Sequence, residues 1–103
     1  MDERQNILDQ VEKALDIKLY DWQRTYILGR EWQVPKSERH TGRTLAYTIK
    51  LLAFHDKPIR KKVLHNYADT PGRGMRYCQW YRRYALEINE KLTAAGIKTC
   101  IVD

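Results

Sequence analysis

The clearest structural pattern in this chain is the stretch CQWYRRYALEINEKLTAA, residues 78–95. Its apolar side chains recur at steps of three and four residues, which is the spacing of one buried seam along an α-helix. The seam comprises Cys78, Tyr81, Ala85, Ile88, Leu92 and Ala95. Gly96 follows at the position where helices commonly end on glycine. The pattern predicts a helix of about six turns with one face in the core.

Shorter elements on either side can pack against this helix. Apolar spacing predicts a first helix over residues 3–15. A second helix is predicted through Leu28, with Asp21 as its N-cap and Gly29 as its stop. A third is predicted from Thr41 to the proline turn at 56–58. Two short runs predict strands. Residues 59–64 suit a sheet edge because of their RKK centre, and residues 97–102 are rich in β-branched side chains.

Together these elements predict a mostly helical α+β fold, with about four helices packed on a small sheet of two or three strands. The chain of 103 residues is the length of one domain. Because the long helix lies between the two strands, we expect a parallel pair joined by a right-handed crossover. Residues 30–41 and 69–74 are expected to be loops.

Composition excludes several classes of protein. The acidic, polar start lacks the basic and apolar regions of a secretory signal, and no apolar run reaches the length of a membrane span. Cys78 and Cys100 form no CxxC motif, and the three histidines have no metal-ligand spacing, so neither a disulfide framework nor a zinc site is expected. We expect a cytoplasmic protein with reduced thiols and no cofactor.

Positive charge is concentrated in the middle of the chain. Residues 1–35 carry a net charge of −2, residues 36–83 carry +9 and residues 84–103 carry −1. Such a concentration creates a local positive field that attracts polyanions and speeds their encounter. Nucleic acid or an acidic protein face suits this field, and the alternative is a solvated surface that serves solubility.

The densest basic segment is RGMRYCQWYRRY, residues 73–84. On a helix, Arg76, Trp80 and Arg83 share one side, next to the apolar seam. Arginine binds phosphate through paired hydrogen bonds, and aromatic rings stack on bases at about 1–3 kcal/mol per base. The predicted binding residues are Lys57, Arg60, Lys61, Lys62, Arg73, Arg76, Trp80, Arg82, Arg83 and Tyr84. The alternative is that the rings form a second buried flank with arginines stacked over them.

A phosphate-loop pattern precedes the third predicted helix. Gly42, Arg43 and Thr44 correspond to the end of GxxxxGK[ST], with Ser37 in place of the first glycine. Upstream, YDWQ at 20–23 is followed by YIL at 26–28. Residues 19–53 thus resemble the N-terminal segment of P-loop helicase and terminase NTPases, as found in small accessory proteins of phages and mobile elements. The resemblance implies that Gln23 reads adenine and that Gly42, Arg43 and Thr44 bind phosphate. The alternative is that the threonines only begin a helix.

Three functions fit these observations. The leading hypothesis is a non-enzymatic accessory protein of a phage or mobile element in a bacterial host, which binds nucleic acid or a nucleoprotein complex. One concrete form is an inhibitor of a host defence nuclease, similar to an anti-CRISPR protein. The second is a degenerate P-loop fragment that binds nucleotide or phosphate. The third is a protein–protein interaction module, because interfaces favour Trp, Tyr and Arg.

Overall fold

The computed structural model describes residues 3–33, 42–69 and 71–102. Its helices are α1 (Glu3–Leu15), α2 (Asp21–Leu28), α3 (Arg43–Phe54) and α4 (Met75–Ala94), with strands β1 (Ile59–Arg60) and β2 (Ile101–Val102) and two 3₁₀ segments, Lys61–Tyr67 and Pro71–Arg73. The predicted mostly helical α+β fold is confirmed. None of the helices in these ranges combines the length and the apolarity that crossing a bilayer requires.

Helix α4 holds two hydrophobic clusters together. Its C-terminal half packs Ile88 and Leu92 into a cluster with buried residues of α1, α2 and α3. Its N-terminal half packs Tyr81 and Ala85 into a second cluster with Ile59 and Leu64. The predicted seam is therefore buried from Cys78 to Leu92. Ala95 does not belong to it, because the helix ends at Ala94 and the alanine that follows is exposed.

The strands are much shorter than predicted. β1 and β2 form a two-stranded parallel sheet in which Ile59 pairs with Ile101 and Arg60 with Val102. The rest of the predicted first strand forms the 3₁₀ segment Lys61–Tyr67, whose turn buries Leu64 and leaves its lysines in solvent. In the predicted second strand, residues 97–100 make no ladder, although the Cys100 amide donates to the Leu52 carbonyl at 2.9 Å. No third strand lies in the described ranges.

The helix boundaries depart from the predicted caps at two places. Helix α2 begins after Tyr20 rather than after an Asp21 cap, and the Tyr20 amide donates to the Gln23 side chain at 2.8 Å. Helix α3 begins after Gly42. The predicted Thr41 cap, like Ser37, lies outside the described residues. Gly96 ends α4 as predicted, with a φ of 83° that glycine adopts without strain.

A buried lysine joins α3 to the end of α2. Lys50 is only 2% exposed, and its ammonium donates to the carbonyls of Tyr26, Gly29 and Glu31. The nitrogen also lies 4.6 Å from the centre of the Tyr26 ring and 5.0 Å from that of Trp32. Burial lowers the pKa of Lys50. This contact fixes the course of residues 29–32, which leads the chain toward the groove described below.

Candidate functional site

A groove of about 970 Å³ opens between the start of α3 and the N-terminal half of α4. The segment between α1 and α2 forms one wall, and the aromatic side of α4 forms the other. This volume lies at the upper end of the range for small-ligand sites, roughly 300–1,000 Å³. Both sets of residues singled out in the sequence contribute to it, because the phosphate-loop residues and part of the basic aromatic segment line the same cavity.

The α4 wall is a ladder of three rings, Tyr77, Trp80 and Tyr84. Trp80 is 42% exposed, and its ring centroid lies 5.4 Å from that of Tyr77 and 5.1 Å from that of Tyr84. Trp80 and Tyr84 are nearly parallel, at 18°. A centroid separation of this size is typical of offset stacking, which leaves part of each ring face uncovered. Arg73 continues the ladder, with its guanidinium 4.6 Å from the Tyr77 ring centre.

The tyrosines of this ladder also serve packing. Tyr84 is half-buried and touches both hydrophobic clusters, and burial raises the pKa of its phenol. The structure thus combines the two readings of the sequence, since the tyrosines support the helix while Trp80 remains open to solvent.

The floor of the groove holds the four residues of the phosphate-loop pattern. Gln23 is 3% exposed, and both ends of its amide are engaged, accepting from the Tyr20 amide and donating to the Gly42 carbonyl at 2.9 Å. Gly42 adopts a φ of 92°, and a Cβ there would lie 2.3 Å from the Gln23 nitrogen. Glycine is therefore required by both backbone and space. In this arrangement Gln23 positions α3 rather than presenting a free amide to a ligand.

The other two residues of the pattern differ in their partners. The Thr44 hydroxyl donates to the Asp69 carboxylate at 2.8 Å. The Nε of Arg43 is buried and has no hydrogen-bond acceptor among the described residues. A buried donor without an acceptor costs about 1–3 kcal/mol, more if charged. Arg43 is thus the groove residue whose hydrogen bonding is incomplete.

Asp69 connects the floor of the groove to its α4 wall. It accepts from Thr44 at the start of α3 and from the Tyr77 hydroxyl on α4. It is the carboxylate of the described lining, beside three cations, Lys18, Arg43 and Arg73. The groove therefore carries an excess of positive charge. Sequence reasoning missed Asp69 and Lys18 because no local pattern marks them. Tyr20 opens the YDWQ motif but was given no binding role, and it lies exposed on the opposite wall.

The second surface is centred on the contact of the 3₁₀ segment with α4 and contains Lys61, Lys62, Arg82 and Arg83. We include the exposed Arg60, next to Lys61 in the chain, and the exposed Arg76, two helical turns before Arg83, and call the six residues the basic face. The Nε of Arg82 donates to the Lys61 carbonyl at 2.9 Å, so the 3₁₀ segment lies against α4. A shallow depression of about 380 Å³ between them is lined by Lys62, Arg82 and Arg83. The five residues of the face other than Lys61 form no ion pair with a described carboxylate. The ion pairs of Arg24 with Asp9 and Glu12 join α2 to α1 instead.

The predicted binding stripe is therefore divided between two sides of one helix. Arg73, Trp80 and Tyr84 face the groove, whereas Arg82 and Arg83 border the depression. On α4, Arg82 points about 200° around the axis from Trp80, whereas Arg83, three residues from Trp80, lies only about 60° from it, so the two surfaces adjoin at Arg83. Lys57 lines neither cavity and lies exposed in the turn after α3.

The described residues contain no group of three or more His, Cys, Asp or Glu side chains that could hold a metal ion. No disulfide joins Cys78 and Cys100; the second thiol lies 3.1 Å from the Leu51 carbonyl, and burial raises its pKa. Comparisons with protein-family models, with curated proteins and with solved structures found no match for this chain.

Proposed function

We propose that this protein binds nucleic acid through the basic face and the adjoining groove. The observation that carries the proposal is the contact between the 3₁₀ segment and α4, which brings Lys61 and Lys62 beside Arg82 and Arg83. Arg60, next to Lys61 in the chain, and Arg76, two helical turns before Arg83, are exposed and complete the set of six cations. No carboxylate of the described ranges pairs with five of these side chains, which favours their interaction with a polyanion.

The chemistry of these side chains favours phosphate over other anions. Four of the six residues of the basic face are arginines, whose planar guanidinium donates two parallel hydrogen bonds to phosphate oxygens. Binding to a phosphate backbone releases condensed counterions, so its affinity falls steeply with salt. Binding to an acidic protein face would depend on salt less strongly, because no counterion atmosphere of comparable density is displaced.

The test compares two variants of equal net charge. Reversal of three arginines of the basic face, Arg76→Glu, Arg82→Glu and Arg83→Glu, changes the formal net charge from +6 to 0. The matched control makes the same change at three exposed lysines away from both cavities: Lys13→Glu, Lys91→Glu and Lys98→Glu. Binding to labelled oligonucleotides is measured by fluorescence anisotropy, and folding by circular dichroism.

We expect the arginine variant to lose binding while the lysine variant retains most of it. Three phosphate contacts contribute about 2.7 to the slope of log affinity against log salt on duplex DNA, or about 40-fold between 50 and 200 mM. The salt slope should therefore be shallower by about this amount in the arginine variant than in wild type. Equal losses in both variants would mean that only net charge matters, and this would refute the proposal. Absence of wild-type binding at 50 mM salt would refute it as well.

A further inference from the structure

We propose that the groove takes an unpaired nucleotide, so that the protein prefers single-stranded nucleic acid over duplex. This inference rests on the proposed function, because it specifies which form of the polymer the same surface recognises. The groove and the basic face share α4, so one strand can lie along the face and turn a base into the groove.

The aromatic walls of the groove suit a base. Trp80 is exposed on one wall, and Tyr20 is 62% exposed on the other. The offset of the Trp80 ring from its neighbours leaves indole surface uncovered. Stacking on such rings tolerates any base, because every base has a π-face. In a duplex these faces are covered by neighbouring base pairs, and only an unpaired base can offer one.

The cations of the groove suit the phosphate of the same nucleotide. Lys18, Arg43 and Arg73 line the groove, and Asp69 balances only one of them. Arg43 remains partly accessible to solvent at the groove. A phosphodiester oxygen would supply a charged acceptor for this guanidinium. The groove thus offers both parts of a nucleotide a complementary partner, a ring for the base and guanidinium groups for the phosphate.

The experiment measures the affinity of the full chain for four labelled probes. They are a 15-residue oligothymidylate, a 15-base-pair duplex, a 15-residue oligouridylate and a 15-residue DNA chain made of abasic sites. Wild-type protein is expected to bind the single strands more tightly than the duplex or the abasic chain, by roughly 5- to 150-fold for one stacked base. The abasic chain is the critical probe, since it keeps the phosphates and removes only the bases.

Variants identify the groove as the origin of this preference. Trp80→Ala is expected to lower single-strand affinity to that of the abasic chain, and Trp80→Phe to retain most of it because the ring remains. Gln5→Ala truncates an exposed, uncharged side chain of α1 that lines neither the groove nor the depression, and should have no effect. Since Trp80 is 42% exposed and belongs to neither hydrophobic cluster, circular dichroism should show both tryptophan variants folded.

The outcomes separate this inference from the proposed function. Equal, salt-dependent binding of wild type to single strand, duplex and abasic chain would overturn the inference and leave nucleic-acid binding intact. Failure to bind any probe would overturn both. Trp80-dependent binding to oligothymidylate, oligouridylate or both supports the inference, and the tighter of the two identifies DNA or RNA as the source of the nucleotide.

Discussion

Replacement of the buried lysine tests how the groove-forming segment is held. In Lys50→Met, the carbonyls of Tyr26, Gly29 and Glu31 lose their common donor. The buried Tyr26 carbonyl keeps only the bond from the Gly29 amide at 3.2 Å, and loss of its hydrogen bond from the charged ammonium should cost about 1.5–3 kcal/mol. The other two acceptors lie nearer the surface and recover hydrogen bonds to water. Loss of the contacts with two aromatic rings adds about 0.5–1 kcal/mol for each ring.

The sign of the net effect follows from the nature of the acceptors. Methionine avoids the cost of burying a charge, which is why replacing a whole buried ion pair by apolar residues can stabilise a protein. Here the partners are backbone carbonyls, and no side-chain substitution removes them. The lost hydrogen bonds therefore outweigh the relief of desolvation. We expect the free energy of unfolding to fall by about 2–4 kcal/mol, a large part of the roughly 5–15 kcal/mol of a small domain.

Urea denaturation followed by circular dichroism measures this change as a shift in midpoint at constant slope. Native-state hydrogen exchange should also show faster opening of residues 29–32 than of α4. Lys91→Met is the control, because it makes the same chemical change at an exposed site of α4 and should stay within about 0.5 kcal/mol of wild type. A Lys50→Met protein as stable as this control would refute the reasoning.

Three further predictions concern the glycine, the phenols and the carboxylate near the groove. Gly42→Ala should destabilise the fold by about 2–4 kcal/mol in urea denaturation, because of its φ of 92° and the 2.3 Å approach, whereas Gly72→Ala, with open space around it, should cost little. Burial raises the pKa of Tyr47 to about 12 and also raises the pKa of Tyr81. Above pH 10 the unfolded chain therefore releases these protons more readily than the folded protein, so the free energy of unfolding is retained below pH 10 and falls above it. Urea midpoints between pH 9.5 and 11 should fall, and Tyr81→Phe should make the fall in the free energy of unfolding shallower, by about 0.8 kcal/mol per pH unit on average over this range. Asp69→Asn removes a negative charge from the groove lining and should tighten single-strand binding about two- to fivefold in anisotropy titrations at low salt.

Periodic elements of the fold were predictable from the sequence. The helix at 3–15 has the predicted bounds, and the second helix ends at Leu28 as predicted although Tyr20 rather than Asp21 precedes it. The α4 seam is buried as far as Leu92. Each is determined by local apolar spacing, which needs no knowledge of partners. The run at 59–64 gave no such constraint, because a segment this short can bury Leu64 equally well in a strand or in a helical turn. Ile59 and Arg60 alone pair with β2.

Local patterns could not show which residues meet across the fold. The phosphate-loop residues and Trp80 were singled out as separate sites about forty residues apart, and they line one groove only because α3 and α4 pack together. Asp69 lies 25 residues from Thr44 in sequence, and no spacing rule links them. Lys50 interrupts an apolar helix face, and its burial depends on carbonyls at the end of α2.

The hydroxyls of two tyrosines near the groove donate hydrogen bonds to backbone outside the regular elements. Tyr26 donates to the Trp32 carbonyl and Tyr47 to the Tyr67 carbonyl, at 2.7 and 2.8 Å. Phenylalanine at either position would keep the ring in place and release only the backbone it holds. Removing one hydroxyl oxygen can therefore loosen a backbone segment beside the groove without changing the packing of the core. Comparison of such variants with wild type would show how much rigidity of the binding surface recognition requires.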